Sequence, residues 1–186
     1  MVDWGRRWDN MQQHSGQHLL SAVLEKQYDT QVSQAEVTQY TRINSNRTIV
    51  CFQTLSWWMA EHTEAKVGVS YIEVDRAVSE EDLVAVQERC NEVIRAALPV
   101  TVNTFEVGDP ELDQVRHVTC TAACHTAATC QAHTRGLPSD HVGPVRVVSI
   151  PGVDTNLCCG THVSATSQLQ MLHLMGLESK VSYSWY

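Results

Sequence analysis

The stretch NMQQHSGQHLLSAVLEK, residues 10–26, defines the first element of the fold. Its apolar residues fall near helical spacing, which predicts an α-helix over this range. His14 and His18 are four residues apart, so their side chains lie on one face of that helix, one turn above the other. Two imidazoles placed in this way can converge on one metal ion. The same spacing is also compatible with two ordinary surface or core histidines.

A second pair with the same spacing lies near the other end of the sequence, in Cys158-Cys159-Gly160-Thr161-His162. Gly160 allows a tight backbone turn between a thiolate and an imidazole. Together the two pairs supply one cysteine and three histidines, a complete ligand set for tetrahedral Zn²⁺. Spacing does not choose between Cys158 and Cys159, because adjacent side chains in an extended segment point to opposite faces. The alternative is two buried cysteines with an incidental histidine.

The other elements indicate an α+β protein with a largely antiparallel sheet and packed helices. Ser79, with Asp82 three residues on, predicts a capped helix that ends before Pro99. Residues 27–53 have no clear period and predict a long loop or insert. The predicted strands lie in Val67 to Ile72, Val100 to Thr104 and Val145 to Ile150, with further candidates at Val163 and residues 169–174 and a short helix over Pro110 to Val115.

Composition narrows the class of protein. The chain has 186 residues, of which 43% are hydrophobic and 18% charged, as in ordinary globular domains. A net charge of -8 argues against a broad basic face for nucleic acid, but not against a local patch. We find no signal peptide and no window near the about 20 apolar residues of a membrane span, so we expect a soluble intracellular protein. The chain has seven cysteines and nine histidines, and in an intracellular protein this combination indicates metal binding more than disulfide bonds.

Residues 117–135 are rich in Ala, Thr, Cys and His and predict a second insert. A second zinc site is the alternative, but the spacing of the residues that would form it fits no common zinc finger. These residues are Cys120, Cys124, His125, Cys130 and His133.

Residues 14–20 (HSGQHLL), paired with residues 158–163 (CCGTHV), resemble the zinc signature of the alanyl-tRNA editing domain. That domain occurs in alanyl-tRNA synthetase, in related form in threonyl-tRNA synthetase, and in freestanding editing proteins. Together with three longer segments, the resemblance covers well over half of the chain. It implies the fold of that domain and one Zn²⁺ per chain, and it favours Cys158 over Cys159. The implied ligands are His14, His18, Cys158 and His162.

The resemblance also implies a function, the hydrolysis of the ester of a mischarged alanine tRNA that carries serine or sometimes glycine. Gln17 and Thr161 are then candidates for catalysis or for binding the serine hydroxyl, with orientation of the ligands as the alternative. Arg6, Arg7 and Arg146 are candidates for phosphate contacts, with solvated surface charge as the alternative. The implied partner is mischarged tRNA(Ala) in the cytoplasm, with no DNA and no membrane. The resemblance further implies nucleotide binding and ATP binding.

Three departures from the family pattern accompany the resemblance. Freestanding members of the family carry a β-barrel-like N-terminal region before the segment at which this chain starts, and this chain lacks that region. In addition, residues 27–53 and residues 117–135 interrupt the family pattern. We therefore expect an N-terminally truncated editing domain over residues 1–178 and an irregular tail over residues 179–186. The alternative function is a catalytically inactive, zinc-stabilised tRNA-binding module that lacks half of the cleft. A metalloprotease is disfavoured, because no carboxylate stands between the two histidines.

Overall fold

The computed structural model describes residues 1–28, 32–36, 48–54, 70–74, 77–112 and 141–179. Two complete α-helices, one 3₁₀ helix and seven strands lie within these ranges, and residues 110–112 are also helical, which is the described part of the short helix predicted over Pro110 to Val115. In chain order they are α1 (Trp4–Tyr28), β1 (Val32–Glu36), β2 (Thr48–Thr54), β3 (Ser70–Val74), α2 (Glu80–Arg95), β4 (Thr101–Phe105), β5 (Val145–Ile150), β6 (Asp154–Leu157), the 3₁₀ helix (Thr166–Leu169) and β7 (Leu172–Ser179).

The described strands form two sheets. The first has the order β1-β3-β2-β7 and the second the order β4-β5-β6. Every neighbouring pair in both sheets is antiparallel. Helices α1 and α2 pack against each other, and α1 also contacts the first sheet and β6. The predicted class, α+β with antiparallel sheet and packed helices, is confirmed.

Helix α1 is longer than the range 10–26 that the sequence predicts. Its start is explained by Asp3, whose carboxylate accepts a hydrogen bond from the backbone N–H of Arg6 at 3.1 Å. This contact satisfies one of the amide groups that have no partner in the first turn of a helix. The apolar face of α1 belongs to the main core through Leu19, Leu20, Ala22, Val23 and Leu24.

Gly16 lets α1 approach the first sheet closely. A Cβ atom at position 16 would lie 2.8 Å from Cγ2 of Thr54 and 3.1 Å from Cε2 of Phe52, both on β2. A side chain there would push the helix away from the sheet, so the residue between the two histidines has a packing role.

Helix α2 begins as predicted. The hydroxyl of Ser79 accepts a hydrogen bond from the Asp82 backbone N–H, and the Asp82 carboxylate accepts one from the Ser79 backbone N–H, both at 3.1 Å. This reciprocal capping box fixes the first turn. The predicted apolar stripe is buried at Leu83, Val86, Cys90, Val93 and Ile94.

The predicted loop over residues 27–53 is wrong for the described part of that stretch. Helix α1 continues to Tyr28, and β1 and β2 follow within the same stretch. Strand β2 is a central strand, paired with β3 on one side and β7 on the other. Its position is set by partners distant in sequence, so a local period gives little warning of it. The status of this stretch as an insert remains a prediction.

Two strand predictions near the end of the chain are also corrected. Val163 lies in an irregular segment, and Leu169 ends the 3₁₀ helix, so β7 begins only at Leu172. Strand β6 was not predicted, because its sequence DTNL is polar and short. Residues 117–135, and residues 180–186 of the tail predicted over 179–186, lie outside the described residues, whereas Ser179 ends β7. None of the helices in the described ranges is long and apolar enough to cross a membrane.

Candidate metal centre

Helix α1 presents His14 and His18 toward the irregular segment that follows β6. Ser15 lies between them and is buried, and its hydroxyl accepts a hydrogen bond from the backbone N–H of Val163 at 3.0 Å. The helix therefore carries the first histidine pair and also anchors the backbone immediately after His162.

The segment after β6 brings the second pair to the helix. The backbone N–H of Cys158 donates to the Arg146 carbonyl at 3.0 Å, which continues the pairing of β6 with β5. Gly160 then passes directly beside His14, where a Cβ atom would lie 2.7 Å from Nδ1 of that ring. Since this distance is shorter than any ordinary contact of a Cβ atom, glycine is what lets the segment place Cys158 and His162 against His14.

Four donor groups converge at this point. One ligand atom from each of the four predicted residues lies within 4.8 Å of every other. The ring centroids are 5.0 Å apart for His14 and His18, 4.3 Å for His14 and His162, and 4.8 Å for His18 and His162. Sγ of Cys158 lies 3.4 Å from Nε2 of His14. The structure thus brings together two pairs that are distant in sequence, with His14 and Cys158 separated by 144 positions.

The three imidazoles share one pattern of hydrogen bonding. Each ring donates from Nδ1 to an oxygen, which fixes the tautomer and leaves Nε2 directed at its neighbours. This is the usual arrangement around metal-binding histidines. The three bonds join His14 Nδ1 to Thr161 O at 3.1 Å, His18 Nδ1 to Asp154 Oδ2 at 3.1 Å, and His162 Nδ1 to Gly160 O at 3.2 Å.

The electrostatics of the cluster favour a thiolate. Burial alone would raise the pKa of Cys158, but interactions with His14, His162 and His18 outweigh it and lower the pKa to about 3. Burial would lower the pKa of His18, but its contacts with Asp154 and Cys158 raise it to about 9. Burial lowers the pKa of His162, an effect that the positive charge of His18 reinforces and the attraction of Cys158 opposes. The Cys158 thiolate therefore lies beside a protonated His18 at neutral pH, and Zn²⁺, which binds thiolate and neutral imidazole, has to displace that proton.

One buried atom tests whether the cluster fits a metal ion. Nε2 of His162 is shielded from solvent and has no hydrogen-bond partner within the described ranges. A buried polar atom without a partner costs free energy unless something else satisfies it. A cation held among the four donors satisfies it, so the residues present fit the implied Zn²⁺.

The other predicted site residues have different surroundings. Gln17 is buried, and its Nε2 atom has no hydrogen-bond partner among the described residues. Thr161 is half-buried, and its carbonyl accepts the bond from His14. Arg6 and Arg7 are exposed on the first turns of α1, while Arg146 is half-buried with its guanidinium on the segment after β6. The candidate second zinc site at residues 120–133 lies outside the described ranges.

Asp154 is a part of the site that the sequence does not predict. Its Oδ2 accepts from His18, and its Oδ1 accepts from the Asn156 amide at 2.7 Å, so the carboxylate is itself held in place. The signal was weak, because one carboxylate in a short polar strand has no distinguishing pattern. Its position four residues before Cys158 is the clue that was available.

Comparison with known proteins is consistent with this geometry. Residues 145–182 match the family model described as "Threonyl and Alanyl tRNA synthetase second additional domain". The chain is 38% identical over 178 residues to "Alanyl-tRNA editing protein Aarsd1" of Mus musculus, which covers 95% of the chain and 32% of that protein. It is 27% identical over 190 residues to "Putative alanyl-tRNA editing protein alaX" of Saccharomyces cerevisiae, covering 97% of the chain and 33% of that protein.

A fold of two antiparallel sheets with a three-histidine, one-cysteine cluster defines an α+β protein with a candidate metal centre, and the comparisons identify its relatives. The chain is similar in sequence to proteins named alanyl-tRNA editing proteins, as the resemblance of its two histidine-containing motifs implies. It spans about a third of the length of the curated relatives that it matches.

Proposed function

We propose that this chain hydrolyses the ester of mischarged alanine tRNA, removing serine and, as a second substrate, glycine. The cluster of His14, His18, Cys158 and His162 is the observation that carries the proposal. The proposal is also supported by the names of similar proteins, several of which are called alanyl-tRNA editing proteins. Such an activity belongs with protein synthesis in the cytoplasm.

The four residues would hold one Zn²⁺. When bound, Zn²⁺ supplies a positive charge that attracts the carbonyl or amino group of a substrate and acidifies water. The work of the protein's own groups is orientation. The Nδ1 hydrogen bonds to Thr161 O and Asp154 keep the rings of His14 and His18 turned inward. We favour positioning of the substrate as the main role of the centre, because four protein ligands fill a tetrahedron.

Selectivity for serine requires a group that bonds a hydroxyl. Gln17, next to His18, has a buried amide nitrogen without a partner in the described part of the chain. Thr161, next to His162, is half-buried at the edge of the cluster. We assign these two side chains to the substrate hydroxyl, because a site built to bond a hydroxyl discriminates strongly against a substrate that lacks one. Correctly charged alanine lacks it, and glycine lacks it too, so we expect glycyl-tRNA(Ala) to be a much poorer substrate than seryl-tRNA(Ala).

Binding of the tRNA acceptor end requires positive charge. Arg6 and Arg7 are exposed about two turns before His14 on α1, which corresponds to roughly 10–12 Å along the helix. We assign them to phosphates of the acceptor strand, because arginine binds phosphate through several donors at once.

A second candidate is a zinc-stabilised tRNA-binding module without turnover. The closed set of four donors favours it, since structural zinc sites have four protein ligands and catalytic sites usually keep a position open. Both candidates share the metal centre and the tRNA partner, and they differ only in hydrolysis.

One experiment separates them. We would measure zinc per chain by elemental analysis and follow hydrolysis of seryl-tRNA(Ala), for the wild type, for His18→Ala and for His173→Ala. His173 is exposed on β7 and serves as the matched control. One zinc and hydrolysis, both lost only in His18→Ala, support the editing enzyme. One zinc without hydrolysis supports the binding module, and no zinc in the wild type rejects both.

A further inference from the structure

Arg146, the second residue of β5, reaches the segment that carries Cys158 and His162. Its Nη1 donates to the carbonyl of Cys158 at 2.8 Å and also to the carbonyl of Gly160. Both acceptors are backbone oxygens of the turn between the two candidate ligands. The side chain is half-buried, so these contacts are partly shielded from water.

The same turn is held by the backbone of Arg146. The Arg146 carbonyl accepts a hydrogen bond from the Cys158 N–H at 3.0 Å. The Gly160 carbonyl, which the Arg146 guanidinium contacts, also accepts a hydrogen bond from Nδ1 of His162 at 3.2 Å. Gly160 O therefore joins the guanidinium to a ligand ring. Any shift of the guanidinium moves the carbonyl that orients His162 and the peptide that carries Cys158.

We propose that Arg146 is a positioning residue of the metal centre, which holds the Cys158–His162 turn in the conformation that binds the metal ion. The inference rests on the proposed function, because it takes the four-residue cluster as a zinc site. It gives Arg146 a different role from the phosphate contact that the sequence analysis predicts.

The shape of the guanidinium explains why arginine occupies this position. Two carbonyls two residues apart in a tight turn both point at one charged, planar donor, and a charge-assisted hydrogen bond to each is stronger than a neutral one. Without this donor the two carbonyls lose their charge-assisted hydrogen bonds, so we expect the turn to be held less firmly. Lysine retains the charge, but its ammonium is a point donor with a flexible stem.

The test compares Arg146→Gln and Arg146→Lys with the wild type and with Arg89→Gln in the full chain. Arg89 is exposed on α2, where it pairs with Glu92, and is the matched control. Three quantities are measured: Zn²⁺ affinity by competition with a chelator, the absorption spectrum of the Co²⁺-loaded chain, and the melting temperature of the metal-free chain. All binding is measured at a temperature where every metal-free variant is folded.

We expect Arg146→Gln to lose about 10–100-fold in Zn²⁺ affinity, as other changes next to metal ligands do. Its Co²⁺ spectrum should change, since the geometry of the thiolate and imidazole ligands changes. Arg146→Lys should lie between Arg146→Gln and the wild type, and Arg89→Gln should match the wild type. If Arg146→Gln does not fold, the reduced affinity and altered spectrum of Arg146→Lys carry the test.

A purely structural role gives a different result. The metal-free variants would then melt at lower temperature, but the folded protein would keep the wild-type Zn²⁺ affinity and Co²⁺ spectrum, and the inference would be overturned. Failure of the proposed function is distinguishable from this outcome, because a wild-type chain that binds no zinc rejects the metal centre itself. Wild-type zinc binding without hydrolysis leaves the role of Arg146 intact.

Discussion

Two adjacent thiols, Cys158 and Cys159, have opposite surroundings. Cys158 packs against the core and lies among the three imidazoles, whereas Cys159 is exposed. We expect Cys158→Ala to lose the zinc that the wild type binds, because one of four ligands is removed. Cys159→Ala should retain one zinc per chain by elemental analysis and is the matched control. Equal zinc content in the two variants would contradict the assignment.

Gly160 offers a test that removes no ligand. In Gly160→Ala the new Cβ would lie 2.7 Å from Nδ1 of His14, so either the ring or the turn has to move. We expect the variant to bind Zn²⁺ at least about 10-fold more weakly, as for other changes next to metal ligands. A chelator competition measures this. Thr161→Ser keeps the backbone carbonyl that His14 contacts and should bind like the wild type, and wild-type affinity in Gly160→Ala would show that the turn adapts.

The pH dependence of zinc binding follows from His18. Although burial lowers its pKa, contacts with Asp154 and Cys158 raise it to about 9, so the metal-free ring is protonated at neutral pH. The protonated form of His18 stabilises the metal-free fold fully below about pH 6.5, the ordinary pKa of histidine. This stabilisation is lost as the pH rises through about 9, the pKa of His18 in the fold. Zn²⁺ must displace that proton, so affinity should rise by about tenfold per pH unit between neutrality and pH 9.

The measurement is calorimetry in buffers of different ionisation enthalpy, which counts the protons released per Zn²⁺ bound. Asp154→Asn removes the carboxylate that contacts His18 and should release fewer protons at neutral pH. An affinity and a proton count that do not change over this pH range would contradict the assignment.

At the scale of residues, the sequence predicts which side chains meet, but not how they are held. The spacing of His14 and His18 predicts a shared face, because the geometry of a helix is local. Spacing leaves Cys158 and Cys159 equal, and only the tertiary contacts separate them. Asp154 escaped prediction, because its role depends on a partner 136 residues away in sequence.

The start of helix α2 is the element whose formation depends most clearly on local chemistry. The side chains of Ser79 and Asp82 satisfy each other's backbone N–H groups. Ser79→Ala removes one of these bonds and should lower the free energy of unfolding by about 1 kcal/mol. Urea unfolding measures the change. Ser167→Ala, at an exposed position in the 3₁₀ helix, should change the stability by less than half as much, and an equal effect would argue against the cap.

The same contrast explains which elements could be predicted. The cap and the apolar stripe of α2 are both local, and the sequence predicts that helix correctly. Strand β2 is different, because its partners are β3 and the distant β7, where Thr48 pairs with Ser179. Pairing at this separation leaves no local period, so the sequence predicts a loop where β1 and β2 form.

At the scale of the whole molecule, the four-residue cluster lies between helix α1 and the segment that follows the last strand of the second sheet. Helix α1 packs on the first sheet and on α2, whereas Cys158 and His162 follow the last strand of the second sheet. The cluster therefore joins the second sheet to the main core. This function of the site cannot be read from the motifs, because neither motif indicates which sheet it adjoins.

Removal of the metal is accordingly expected to lower the stability of the whole chain. Zn²⁺ binds the folded cluster, whose donors come from residues 14–18 and 158–162, and the unfolded chain does not bring these together. At free zinc a thousandfold above the dissociation constant, the gain is about 4 kcal/mol. A chelator should lower the melting temperature of the wild type, measured by circular dichroism, and should leave His162→Ala unchanged. If chelation shifts neither protein, the cluster does not join the second sheet to the core through a metal ion. If it shifts both equally, the metal that stabilises the chain is bound elsewhere.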